Sequence, residues 1–255
     1  MAMPESLYAS VVRHIAQGFV PFKLSLSEDN RPQLTAEMKF DVCLELYRMT
    51  KAGSNEALAH LKESLLNIDV FLSFLQLGHK RIDLHKMFET VNSSSLNTLP
   101  QMIADAFVEQ LQTKKLHHHM WLATMGHHLS LFLMDGGWYP AAASVLIALK
   151  TVMKNALSEE TLRDIDAKLL HAYSEFRQLN QAAELLPSLT TGITGEKGSS
   201  YILCELSNHF FWRSIYQDAF KWGMQAVKSV QPKTPMRVVI DVLRQAGNLV
   251  LIIYI

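Results

Sequence analysis

Three short segments of this chain repeat one another, and that recurrence limits its fold more than any other feature. Gly137-Trp138-Tyr139-Pro140-Ala141-Ala142 follows a turn and opens a helix, and Ile215-Tyr216-Gln217-Asp218-Ala219-Phe220 does the same. Between them, Arg177-Gln178-Leu179-Asn180-Gln181-Ala182 is a weaker copy. The alanines Ala142, Ala182 and Ala219 stand about 40 and 37 residues apart, near the period of helix-turn-helix repeats. A small residue early in a second helix lets it approach the first closely. The aromatics just before it, Tyr139 and Tyr216, are placed to fill the gap at the turn.

The helices that precede these turns agree in part. Leu129, Ser130 and Leu133 lead into the first turn, and Leu203, Leu206, Ser207 and Phe211 into the last, a stripe of large, large, small, large. Leu243, Gly247 and Val250 begin the same stripe once more. The apolar run from Leu249 to Ile255 then stands where a second helix should start. The expectation is a C-terminally truncated array whose last first-helix has an uncovered apolar side. Residues 249–255 combine β-propensity with no charge and no proline, an aggregation signature if exposed.

Helical periodicity extends through most of the chain. Gly (11) and Pro (8) are scarce, and apolar residues recur at three- and four-residue spacing without alternating β-branched runs. The spacing predicts helices over 5–17, 34–50, 54–64, 67–77, 81–92, 98–113, 117–134, 138–154, 159–177, 179–186, 199–212, 215–230 and 235–252. Turn clusters such as Gly53-Ser54-Asn55 and Asp135-Gly136-Gly137 separate them, and Leu189 to Ser199 reads as a longer loop. Helices this short bury a core only by pairing and stacking. The expected fold is all-α: stacked helical hairpins in a tetratricopeptide-like α-solenoid. It is organised as N-terminal helices over 1–50, further hairpins over 51–115 and degenerate repeats over 116–255.

Composition narrows the function. Hydrophobic residues make up 49% of the chain and charged ones 19%, ample for a core. Lys+Arg and Asp+Glu are equal at 24 each, so no net field favours nucleic acid or an anionic membrane. Cys43 and Cys204 are far apart and match no metal-ligand or disulfide framework. No stretch resembles a signal-peptide core or a spanning helix. The expectation is a cytoplasmic chain without membrane insertion, with the nucleus and cytoskeleton as further locations.

No constellation points to catalysis, a cofactor or a metal. Consecutive histidines at 117–119 and 127–128 point around a helix rather than converging. Cys204 and His209, five residues apart, fall on different helix sides. Trp138, Trp212, Trp222, Phe210 and Phe211 have the spacing of core aromatics. No phosphate loop, nucleophile elbow or metalloprotease motif is present.

Four segments carry a resemblance over about residues 4 to 246. They are Met38-Lys39-Phe40-Asp41-Val42 with Leu46-Tyr47, Phe132 to Tyr139, Tyr216 to Trp222, and Lys233 to Ala246. In order and spacing they resemble the N-terminal part of the amyloid protein-binding protein 2 family, whose members continue with further repeats. The resemblance implies a non-catalytic substrate receptor of a cullin 2 ubiquitin ligase, joined to elongin B/C by a BC box and to the cullin by a neighbouring box. Ser6 to Ile15 looks like the BC box, with Ser6, Leu7, Val11 and Ile15 as the elongin-binding residues. Leu7, Val11 and Ile15 recur every four residues, which suits a hydrophobic groove.

Leu34 to Val42 resembles the cullin box, with Leu34, Thr35, Met38 and Val42 as the cullin-binding residues. Thr35 stands where the family pattern has proline. Threonine can cap the helix there, although a direct proline contact is lost. The resemblance further implies protein substrates with C-terminal degradation signals. The alternative is a microtubule-associated cargo adaptor that carries the amyloid precursor by its tail.

Overall fold

The computed structural model describes residues 7–17, 34–78, 83–92, 98–113, 119–191 and 199–253, and every element among them is an α-helix. They are α1 (Leu7–Gln17), α2 (Ala36–Lys51), α3 (Asn55–Leu66), α4 (Ile68–Gly78), α5 (Leu84–Asn92), α6 (Thr98–Thr113), α7 (His119–Asp135) and α8 (Tyr139–Met153). Then follow α9 (Glu159–Glu175), α10 (Leu179–Glu184), α11 (Leu186–Thr190), α12 (Ser200–Trp212), α13 (Tyr216–Ser229) and α14 (Met236–Ile253). The expected all-helical architecture is therefore present.

The repeat has a backbone cause. After α7, Trp138 N–H donates to the Leu133 carbonyl and Gly137 N–H to that of Met134, with Gly137 at φ +76°. This is a Schellman stop, which turns the chain sharply and satisfies the last carbonyls. It recurs after α9, where Gln178 bonds back to Tyr173 and Arg177 to Ser174, and after α12, where Ile215 bonds to Phe210 and Ser214 to Phe211. A further copy, centred on Gly53, ends α2. Arg177 (φ +62°) and Ser214 (φ +60°) adopt the left-handed conformation without being glycine. In the three repeat segments the buried alanine follows the left-handed residue by the same interval: 137 to 142, 177 to 182, 214 to 219. All three alanines are fully buried.

The chain divides into two compact units, Met1–Ala141 and Ala142–Ile255. In the first, α2 packs against α1, α3 and α4, and Phe40 meets Phe74 with ring centroids 4.9 Å apart. A second aromatic cluster joins Phe88 to Trp138 (5.0 Å) and to Phe132 (5.5 Å). His85 stacks on Phe132 at 4.7 Å. Trp138, half-buried, thus packs onto the core aromatics from the Gly137 turn.

In the second unit α12 packs against α9, α13 and α14. Ser207 of α12 donates from its hydroxyl to the Ala219 carbonyl of α13 at 2.8 Å. A Cβ added to Gly223 would lie 3.0 Å from Ser207 Oγ and 2.7 Å from Leu249 Cδ1. Small residues therefore set the approach of α12, α13 and α14, as the sequence stripe implied.

Two expectations are corrected. The helix expected over 179–186 breaks at Leu185 and restarts as α11, because Pro187 has no N–H to continue the ladder; helix thus reaches Thr190. The apolar run does not start a second helix: α14 continues through it to Ile253, with Leu249 buried and Val250 and Leu251 exposed. The loop residues 192–198 and the terminal pair 254–255 lie outside the described residues.

Candidate functional site

Two groups of side chains stand out beside the apolar core, one on α1 and α2 and one, largely buried, between α9 and α12. The first is α1. Val12 and Ala16 are buried, while Val11, one residue round, is 40% exposed and Ile15 is half-buried. Tyr8 OH donates to Asp41 Oδ2 at 2.6 Å, and Arg13 Nε lies 3.6 Å from Glu45 Oε1, so polar contacts tie α1 to α2. The inward face is thus Val12 and Ala16, which leaves the Val11 side outward. Ser6 lies outside the described residues, and Leu7 is the first residue of the helix.

At the start of α2, Thr35 is the N-cap. Its Oγ1 accepts from Met38 N–H at 3.2 Å, and its carbonyl accepts from Lys39 N–H at 3.0 Å. Threonine thereby satisfies the helix end where a proline would only have fixed φ. Leu34 and Met38 are half-buried beside it. Val42 has no exposed surface. It lies two turns on, where α2 meets its neighbours, so it holds the hairpin core and offers no contact surface.

The second group is a polar row on the first helices of the second unit, with Lys168 and Glu205 buried and the other members on α9 and α12 half-buried. On α9, Asp164, Lys168, His171 and Glu175 share one face, and on α12 Tyr201, Glu205, Asn208 and Trp212 do. His171 Nδ1 is 2.8 Å from Glu205 Oε2, Trp212 Nε1 donates to Glu175 Oε1 at 3.1 Å, and Lys168 Nζ sits 5.2 Å over the Tyr201 ring. Lys168 also pairs with Asp164. Arg237, Asp241 and Arg244 continue the row on α14, with Arg244 Nη2 3.0 Å from Asp241 Oδ1.

The charge states follow from these neighbours. Burial works against a charged His171, but the Glu205 carboxylate overrides it and raises the ring to about 9, so it is a cation at neutral pH. Burial lowers Lys168, with Asp164 opposing. Burial also pushes the Tyr201 phenol well up. The row therefore alternates basic, acidic and amide or phenol groups. Its members pair with one another and tie α9 to α12.

Sequence reading missed this row, although its signal is present. Asp164, Lys168 and Glu175 precede Tyr201, Glu205 and Trp212 by the same interval that separates Ala182 from Ala219. Chemical variety at equivalent positions hid it.

Of the groups set aside on sequence, Cys43, Cys204 and His209 are buried, whereas the tryptophans are half-buried and His128 is exposed. Cys204 packs with Leu203, Ala226 and Val242, and burial pushes its thiol up. His209 turns instead to α9, its Nδ1 3.1 Å from Ser174 Oγ, and burial lowers it to about 4. Cys43 is fully buried and pushed up to about 12. Trp222 packs beside Leu206 and Leu203, and Arg177 stacks over Trp212 at 4.1 Å. Among the described residues no three His, Cys, Asp or Glu side chains could hold a metal ion, and no helix is long and apolar enough to cross a membrane. His117 and His118 lie outside the described residues.

No family model matches the chain. Nearly identical TPR-like repeats from Podosopora anserina, known as a crystal structure, are similar with a TM-score of 0.43 and 14% identity, over 86% of this chain and 91% of that one. Amyloid protein-binding protein 2 of Rattus norvegicus and of Mus musculus are each 24% identical to it over 96% of this chain. The chain spans 42% of the length of these relatives, to which it is similar almost from end to end.

Proposed function

We propose that the chain is a non-catalytic adaptor that binds other proteins, and more specifically a substrate-recognition subunit of a cullin 2 ubiquitin ligase. In this reading Leu7, Val11 and Ile15, with Ser6 preceding them, enter a hydrophobic groove of elongin C. Leu34, Thr35 and Met38 meet the cullin, and Val42 supports them from the core. The polar row on α9, α12 and α14 takes up the protein to be modified, including those with C-terminal degradation signals. Chemistry is left to a conjugating enzyme brought near the substrate.

The observation that carries the reading is the exposure of Val11 beside the buried Val12 and Ala16. Had the four-residue stripe served only to pack α1 on α2, Val11 would be covered. Co-purification with elongins B and C tests it. Leu7→Asp and Val11→Asp should each abolish association while helical content is retained. Undiminished association in both would refute the elongin assignment.

A second reading rests on the relatives' name, amyloid protein-binding protein 2. The same polar row would then bind the tail of the amyloid precursor and link it to microtubules. Tail-peptide binding that survives Leu7→Asp but is lost with His171→Ala would favour this role.

A further inference from the structure

Polar contacts flank the buried side of α1. At about 100° per residue, Tyr8 falls roughly 60° to one side of the line through Val12 and Ala16, and Arg13 roughly 80° to the other. Both reach the same neighbour: Tyr8 OH donates to Asp41 Oδ2 at 2.6 Å, and Arg13 Nε lies 3.6 Å from Glu45 Oε1. Asp41 and Glu45 stand one turn apart on α2. Arg48 Nη1, 3.0 Å from Glu45 Oε2, orients the second carboxylate. Between the two contacts the apolar anchor is small, a valine and an alanine. Ile15 and Val11 follow Tyr8 around the helix and carry more apolar surface than that pair. Apolar burial alone therefore favours a turn of α1 that lays Val11 and Ile15 on α2.

We propose, on the reading of α1 as a docking helix, that Tyr8 and Arg13 are positioning residues: they hold α1 against that turn and so keep Val11 available to the partner. A turn that brought Val11 inward would carry Arg13 away from Glu45 and push Tyr8 beneath the helix. The opposite turn would draw Tyr8 off Asp41 and uncover Val12. Each contact alone is weak in water. Together they fix the rotation, because no turn in either direction keeps both.

Thiol labelling tests the clamp without the partner. Cys43 and Cys204 are buried, so a maleimide reports on a cysteine added at position 11 or 12. In the otherwise native chain Val11→Cys should react at least tenfold faster than Val12→Cys, in line with exposures of 40% and 6%. Tyr8→Phe combined with Arg13→Ala should cut that ratio at least fivefold with circular dichroism unchanged, whereas Arg13→Lys alone should keep it. The double variant should also weaken association with elongins B and C at least fivefold.

An unchanged labelling ratio in the double variant would overturn the proposal. So would fast labelling at both positions, which would show α1 detaching rather than turning. Full association with elongins in a variant whose ratio has fallen would overturn the role in docking. If the native chain holds no elongin, the partner assignment fails, while the labelling ratio still decides the clamp.

Discussion

Ser214 is left-handed at φ +60°, with an exposed side chain, and its N–H caps α12 by donating to Phe211 at 2.9 Å. A Cβ in that conformation costs roughly 1–2 kcal/mol. Glycine removes the cost but adds about 0.5–1 kcal/mol of unfolded-state freedom. Ser214→Gly should therefore stabilise the protein by about 0.5–1 kcal/mol, leaving the cap bond in place. The equivalent Arg177→Gly relieves the same strain but loses the guanidinium over Trp212 at 4.1 Å, worth about 0.5–1 kcal/mol at an exposed site. Its net effect should lie near zero. Urea unfolding measures both: with an ordinary slope, the Ser214→Gly midpoint rises by roughly 0.3 M at unchanged slope. Ser214→Ala, which keeps the Cβ, should not rise. If Ser214→Gly destabilised the protein, or if Arg177→Gly stabilised it more, the left-handed strain would not be the controlling term.

Gly223→Ala places a methyl 3.0 Å from Ser207 Oγ and 2.7 Å from Leu249 Cδ1; overpacking should cost about 1–3 kcal/mol by urea midpoint. Leu249→Ala removes a side chain that is 2% exposed and should cost about 2–4 kcal/mol; no measurable loss would return residues 249–255 to the status of a dispensable end. His171 is raised from 6.5 to about 9 in the folded state, so its contribution is complete below pH 6.5 and is lost as pH climbs through 9. Stability should fall over that window in the wild type, by at most about 1.4 kcal/mol per pH unit, and less steeply in His171→Gln.

How much of this was legible in the sequence differs by level. Helices were legible because apolar spacing and turn clusters act locally, and the repeat was legible because a Schellman stop fixes the interval to the next close approach. Arg177 and Ser214 could not be read as left-handed, since that conformation belongs to the turn and not to the residue type. Pro187 was visible, but a proline in a helix's first turn restarts it as readily as it ends it.

Four-residue spacing named Leu7, Val11 and Ile15 on α1, of which Val11 is exposed and Ile15 half-buried. Which of two adjacent valines faced the core was decided by α2: Val12 fits against it, and Val11 does not. Met38 and Val42 share the same spacing, yet one is half-buried and the other fully buried, because the stripe rotates across a helix that packs on three neighbours.

The same reasoning separates the two apolar faces of α14. Composition sees one apolar helix there. Packing divides it into a buried face, Val242, Gln245 and Leu249, and an exposed one, Met236, Ile240, Leu243 and Val250, because α12 and α13 lie against one side of it.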